Sequence, residues 1–444
     1  MAAIPLIAHG SSDAVVAYRN GTPIKAGEFL ADVVRLASLL PTGGHVLNAC
    51  ADRYRFAVGL GAGILSNSIN LLPPTQVPEV IRQLRAFAPD TICLTDEAAR
   101  EIDLPIIHYP TTPAPVLKEW RVPLVPGDQR VAYVFTSGST GAPIPHGKTW
   151  ARLAASVRIE VQRLGIDDTR SYTLVATVPP QHMYGFESSV LVALHSGQAF
   201  CAERPFYPAD IVRVLASVPP PRIFVSTPIH LRALLAADMQ LPELVLVLCA
   251  TAPLDATLAA SVEARFAAPL LEIYGSTETG QLASRRTTAG EEWKLWPGVS
   301  LDDRGGRTWA EGGHVETRTP LGDIVEQTAP GQFLMRGRTA DLVNIAGKRS
   351  SLAYLNHQLS AIPGVQDGAF FLGEESGHGS VTGTARLGAV VVAPDRTVEE
   401  IIRELRQRID AVFLPRPLLI VDSIPRNSTG KIPLRVMKSL LAQT

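Results

Sequence analysis

Four short runs constrain the fold most strongly: VAYVF (131–135), YTLVATV (172–178), RIFVST (222–227) and LVLVLCA (244–250). Each holds at least three consecutive apolar residues and does not alternate residue by residue. A strand with one wet face alternates, whereas a strand apolar throughout is covered on both faces. Helical patterns lie between these runs. After Lys148, the residues Trp150, Leu153, Ala154, Val157, Val161 and Leu164 recur at helical spacing and stop at Gly165. Strands alternating with helices in this way predict parallel sheets covered by helices, an α/β fold.

The last hundred residues read differently. LGAVVVA (387–393) and LLIVDSI (418–424) predict strands. Between them Thr397 and Glu400 form a capping box, followed by a stripe of Val398, Ile401, Ile402, Leu405, Ile409 and Val412. The expectation is a large N-terminal domain of parallel and mixed sheets, residues 1–337, and a small α+β domain, residues 338–444. The boundary is set near GRTAD (337–341), where turn-type residues gather. A chain of 444 residues is long enough for two or three domains.

Charge excludes some partners. The chain has 41 basic and 42 acidic residues and no basic stripe, so no field attracts nucleic acid or anionic lipid. No apolar run reaches the roughly 18 residues that span a membrane. The start, MAAIPLIAHGSSD, lacks the basic region of a signal peptide. Cys50, Cys93, Cys201 and Cys249 have neither metal-ligand nor redox spacing. Free thiols of this kind suit a reducing cytoplasm, which is the expected location.

Residues 134–150, VFTSGSTGAPIPHGKTW, contain two overlapping phosphate-type patterns. Thr136, Ser137, Gly138, Ser139, Thr140 and Gly141 form a hydroxyl-and-glycine loop after a buried strand, whose N–H groups and hydroxyls can converge on a phosphate. Gly147–Lys148–Thr149 ends like a P-loop, but that pattern needs a glycine where Ala142 stands, and Pro143 and Pro145 have no N–H to donate. Lys148 is therefore expected in the first turn of a surface helix.

Three further stretches carry suitable chemistry. EIYGSTETG (272–280) packs a ring, hydroxyls and a carboxylate into one turn. LGD (321–323) and GRTAD (337–341) hold Asp323 and Arg338. PRNSTGK (425–431) ends on Lys431. In this order and spacing, TSGSTGAP, YGSTETG, LGD…GRTAD…AGKR and PRNSTGK resemble the acyl-adenylating superfamily, across roughly residues 45–435. That group includes acyl- and aryl-CoA synthetases, peptide-synthetase adenylation domains and luciferases.

The resemblance implies an enzyme that uses ATP and Mg²⁺ to convert a carboxylate to an acyl-adenylate, then passes the acyl group to a thiol. It implies that residues 136–141 hold the ATP phosphates and that Tyr274, beside Gly275, stacks on adenine. Thr277 would bond the α-phosphate and Glu278 would bind Mg²⁺. Asp323 and Arg338 would hold the ribose, and Lys431 would bridge the α-phosphate and the substrate carboxylate. Attack of one anion on another is the cost that such a lysine and Mg²⁺ address. His182 in VPPQHMYGF (178–186), Ser226, Ala250, Thr251, Ala252 and Gly275 would line the acyl pocket. The loop at Gly347 would line the thiol tunnel after the small domain rotates.

Two positions depart from the pattern. Ile144 stands where the phosphate loop usually carries lysine, and Ala340 stands where a charged hinge residue is usual. The short length, TSGSTGAPIPH and NACADRYRFAVGL (48–60) look like bacterial ligases of aryl-polyene and xanthomonadin-type pigment synthesis. Those would load 4- or 3-hydroxybenzoate onto the phosphopantetheine of an acyl carrier protein, or onto coenzyme A. Fatty acids are the competing acyl groups. A P-loop NTPase working through Lys148 and a degenerate, non-catalytic binder of adenylate or carrier protein are the competing classes.

Overall fold

The computed structural model describes all residues except 1, 99–101, 113, 116–118, 138–142, 168, 306, 339–341, 346–347, 374–385, 410 and 427–444. The chain divides into two compact units, residues 1–301 with 310–319, and residues 302–309 with 320–444. The expected boundary at 337/338 falls in the second unit, at the end of strand Gln332–Arg338.

The first unit contains two large sheets, as the apolar runs predict. One is six-stranded, in the order Pro143–Thr149, Arg130–Ser137, Ile69–Leu72, His45–Asn48, Ile92–Thr95, Ile106–His108. Its strands are parallel except Pro143–Thr149, an antiparallel return strand at the edge. The other sheet has a parallel centre, Leu270–Ser276, Leu246–Cys249, Arg222–Ser226, Thr173–Ala176, Ala199–Cys201 and Val15–Arg19 in that order, with antiparallel neighbours at its flanks. The centre is walled by a core that includes Phe224, Leu231, Val247 and Leu270.

Helix Arg53–Leu65 is buried on nearly all sides, which an apolar helix between layers requires. Its N-terminus is capped by the Asp52 side chain, which accepts from Arg55 N. Arg53 is fully buried and donates to the carbonyls of Ala176 (3.1 Å) and Val178 (2.7 Å). The helix thereby holds the segment that leads to His182. Close approach is possible because Gly63 has no side chain; a Cβ there would lie 2.8 Å from Asn70 Nδ2.

Helix Trp150–Leu164 ends at Gly165, with φ of 65°, as its pattern predicts. The four cysteines are free and buried.

The second unit has its own core. Strands Asp367–Gly373, Arg386–Val392 and Leu418–Ile420 form a three-stranded sheet. Phe370, Leu387, Ala389, Val391, Ile401 and Leu405 are buried together. The capping box at Thr397 and Glu400 is present, but its helix ends at Arg406, earlier than the apolar stripe suggests. A short 3₁₀ turn, Ala411–Phe413, brings Val412 and Phe413 to the core, which Ile409 joins ahead of it.

Candidate active site

The candidate site is built at the carboxyl ends of the parallel strands, where α/β sheets open their crevices. Residues of the EIYGSTETG motif divide into support and display. Glu272 is support. It is buried, accepts from Arg285 Nε at 2.7 Å and from Thr287 Oγ1 at 3.0 Å, and accepts from Leu254 N at 3.2 Å. That last bond ties the motif strand to CATAPL (249–254). Gly275 is also required sterically, since a Cβ would lie 2.3 Å from the carbonyl of Gly280.

The turn after Gly275 displays Thr277 and Glu278, both half-buried. It is closed by Ser276 N donating to Thr279 Oγ1, Thr279 N donating to Ser276 Oγ, and a bond between the two hydroxyls, at 3.1–3.2 Å. The Tyr274 ring packs against Trp293, with centroids 5.6 Å apart.

The two ends of the expected phosphate loop lie on paired antiparallel strands. Thr136 and Ser137 end strand Arg130–Ser137, and Ile144 lies near the start of the return strand. Gly138, Ser139, Thr140 and Gly141 lie outside the described residues. The Thr136 hydroxyl is 3.0 Å from His146 Nε2, and the same nitrogen is 3.9 Å from Glu278 Oε1. This strand pair thus meets the Glu278 turn. Burial and the charge of Lys148 push the His146 pKa down, against the opposing pull of Glu278.

Lys148 corrects an expectation. It is not in the first turn of a surface helix but in the return strand Pro143–Thr149, and it is buried, 3% exposed. Residues 143–149 form an antiparallel strand, so among the described residues the P-loop pattern does not take the strand–loop–helix form it needs, and the rival built on it falls. Lys148 Nζ donates to the carbonyl oxygen of Glu278 at 3.1 Å. Its ammonium faces Glu187, Glu316 and Glu278, while burial lowers its pKa.

Behind this turn is a charged interior that the motifs do not announce. Ser156 Oγ donates to Glu187 Oε1 at 2.8 Å, and Gln281 Nε2 donates to Glu160 Oε2 at 3.0 Å and to Ser188 Oγ at 2.8 Å. Burial pushes Glu160 up to about 8 and Glu187 up to about 7. Glu187 and Ser188 sit in a π-helical segment, Phe186–Leu191, a geometry that widens one turn and is common near functional sites.

Residues expected on the acyl side, Ser226 and Ala250 among them, lie at or just beyond the ends of neighbouring strands. Ser226 is fully buried, 3.2 Å from Thr177 Oγ1. Thr227 Oγ1 lies 2.9 Å from His230 Nδ1. His230 was not anticipated; it is 8% exposed, and its Nε2 has no hydrogen-bond partner among the described residues. Burial, aided by the charge of Arg204, lowers the pKa of both His182 and His230. Ala250 is buried, and Thr251 bends the chain in the left-handed region at φ of 82°, which is strained for a β-branched residue.

In the second unit, Asp323 and Arg338 stand opposite each other in register on one hairpin. Gly347, Ala340 and Lys431 lie outside the described residues.

The chain belongs to the AMP-binding enzyme family, whose profile matches residues 45–339. It is similar to a 4-coumarate–CoA ligase of Rhodobacter capsulatus, 27% identical over 300 residues, covering 67% of this chain and 73% of that protein. Its fold matches ATP-bound MatB from Rhodopseudomonas palustris, with a TM-score of 0.81 at 18% identity, over 97% of this chain and 96% of that one. It also matches o-succinylbenzoate CoA synthetase from Bacillus subtilis in complex with its acyl-adenylate, with a TM-score of 0.81 at 17% identity, over 97% of each chain. The protein is an AMP-forming acid–thiol ligase; the o-succinylbenzoate CoA synthetase whose fold it shares binds ATP and magnesium ion. Among the described residues, no helix is long and apolar enough to cross a membrane.

The described residues fit a Mg²⁺ carried largely by nucleotide. They contain no cluster of three or more metal-ligating side chains. The Glu278 side chain is 37% exposed, and Lys148 bonds its carbonyl, not its carboxylate. One carboxylate plus phosphate oxygens and water is the usual Mg²⁺ set.

Proposed function

We propose that this ligase activates a hydroxybenzoate, 4- or 3-substituted, and passes it to the phosphopantetheine thiol of an acyl carrier protein or to coenzyme A. The setting would be aryl-polyene or xanthomonadin-type pigment synthesis in the cytoplasm. The observation that carries the acid class is the polar cluster of Thr177, Ser226, Thr227 and His230, which ends on a buried His230 Nε2 without a partner among the described residues. A buried nitrogen without a partner costs about 1–3 kcal/mol. A ring hydroxyl both donates and accepts, so it satisfies either tautomer of His230. A fatty acyl chain satisfies neither. Ala250 and Ala252, flanking the bend at Thr251, leave room for a flat ring.

In this reading residues 136–141 hold the ATP phosphates, Tyr274 stacks on adenine and Thr277 bonds the α-phosphate. Glu278 would help hold Mg²⁺, which when bound would supply positive charge to the nucleotide phosphates. Asp323 and Arg338 take the ribose hydroxyls. His182 contacts the acid. Lys431 supplies the point charge at the reacting anions. The segment 338–341 serves as the hinge that divides a domain of residues 1–337 from a mobile one of residues 338–444, and Gly347 enters the thiol tunnel after rotation.

The test is exchange of labelled pyrophosphate into ATP across benzoic and fatty acids. We expect exchange with a hydroxybenzoate, lowered by ~10²-fold or more in Lys431→Ala. Exchange with fatty acids alone would overturn the acid class. No exchange with any acid would bring forward a non-catalytic binder.

A further inference from the structure

Side chains alternate along strand Pro143–Thr149, so Ile144, His146 and Lys148 share a face. Ile144, where a loop lysine would stand, is 49% exposed. Four places on, Lys148 is buried and spends a hydrogen bond on the backbone of the Glu278 turn. The anions around it are themselves fixed. Glu187 accepts from Ser156 Oγ at 2.8 Å, and Glu316 accepts from Thr149 N at 2.6 Å and Thr149 Oγ1 at 2.8 Å. Lys148, Glu187, Glu316, Arg152, His314 and Thr279 line one small cavity behind the turn.

A lysine needed only to neutralise buried acids would point at a carboxylate. This one sits among carboxylates yet bonds a carbonyl of the turn that displays Thr277 and Glu278. We propose that Lys148 is a positioning residue for nucleotide binding. Its ammonium, held from behind by Glu187 and Glu316, fixes the backbone of residues 277–279. The Thr277 hydroxyl and the Glu278 carboxylate are thereby presented to Mg·ATP without Lys148 touching it. The inference rests on the reading of Thr277 and Glu278 as nucleotide-side groups.

The experiment compares the full-length protein with Lys148→Met, Glu187→Gln, the double variant and Glu278→Gln. Thermal unfolding, equilibrium binding of ATP with Mg²⁺ and with chelator, and the two Michaelis constants for exchange are measured. Lys148→Met removes the ammonium that faces Glu187, whose carboxyl burial pushes up to about 7, so above that pH the variant's melting temperature falls; the double variant removes that carboxylate and regains most of the loss. A charged hydrogen bond of this kind corresponds to about 10-fold or more in affinity. We therefore expect both Lys148 variants to bind Mg·ATP about 10-fold or more weakly, with the KM for acid unchanged. The double variant carries the test if Lys148→Met does not fold. Wild-type Mg·ATP affinity in the stable double variant, or a shift in the acid KM alone, would overturn the proposal. Unchanged Mg·ATP binding in Glu278→Gln would instead overturn the reading of Glu278, whatever Lys148 does.

Discussion

The first unit buries two polar interiors, and they are opposites. Behind the Glu278 turn, Lys148, Glu160 and Glu187 are buried ionisable groups, and Glu187 and the half-buried Glu316 face the Lys148 ammonium. At the ends of Thr173–Ala176 and Arg222–Ser226, the cluster of Thr177, Ser226, Thr227 and His230 is neutral, because burial holds the imidazole below its usual pKa. Buried charges must be compensated from within, and removing one member strands the others. Neutral hydroxyls and an imidazole cost far less to bury and can be left open for a ligand. In the proposed reading, the charged interior shapes the backbone that meets the nucleotide, and the neutral one sorts acids.

The sharpest way to separate the two is pH. Glu160 is fully buried, and its carboxyl is pushed up to about 8 by burial, with the Glu187 charge adding to it. In the unfolded chain it ionises near 4.5. Between these values the native state keeps a proton that the unfolded state has lost, so this group's contribution to stability falls as pH rises from about 4.5 to 8. Glu160→Gln removes that slope, and the substituted amide can still pair with the side chain of Gln281. The expected difference in unfolding free energy, variant minus wild type, grows across this window and levels above about pH 8 at several kcal/mol. Denaturant titrations at about pH 5, 7 and 9, which bracket the window, measure it. A difference independent of pH would mean that Glu160 is ionised in the fold. No equivalent slope is expected from the neutral cluster above about pH 7, where its imidazole is uncharged in both states.

Next in size is Glu278→Gln. The side chain remains nearly isosteric but loses its charge, and the Lys148 bond to the main-chain carbonyl is untouched. Pyrophosphate exchange is expected to fall by ~10²-fold or more, the scale of one preorganised electrostatic contact. The acid KM should not move. A raised acid KM would break the division between the two interiors.

Much of the scaffold was legible before the structure. Continuous apolar runs mark strands covered on both faces, and helix 150–164 with its glycine stop follows from periodicity alone. Lys148 was not legible, because PIPHGKT does not look like a strand. Pro143 and Pro145 are tolerated because this is the edge strand, and residues two apart direct their backbone nitrogens to one side. Glu160 does carry a signal in the sequence. It follows Leu153 by seven places and Val157 by three, so it stands on the apolar stripe of its helix. The LGD and GRTAD motifs do bring Asp323 and Arg338 into one register, but no local pattern says which helix residue returns to a strand end.

His230 is that residue, and it defines the smallest predicted effect. Thr227 is the N-cap of helix Pro228–Ala236, and Pro228 starts it, so His230 falls in the first turn. A helical side chain leans toward the N-terminus, which returns the imidazole over Thr227 and toward Thr177. Phe206 packs edge-on against the ring, with centroids 5.3 Å apart, and fixes its plane. The ring is held on one nitrogen and one face, while Nε2 remains without a partner among the described residues. A site built to bond a hydroxyl rejects the analogue that lacks it, because its own polar group is then left unpaired. His230→Leu fills the space without the nitrogen. It should reduce exchange with the preferred hydroxybenzoate by ~10-fold, the worth of one neutral hydrogen bond. Exchange with unsubstituted benzoate should hold or rise, and Mg·ATP affinity should stay constant. Equal losses on both acids would show that His230 supports the pocket wall and does not read the ring. A loss confined to Mg·ATP would join the two interiors into one.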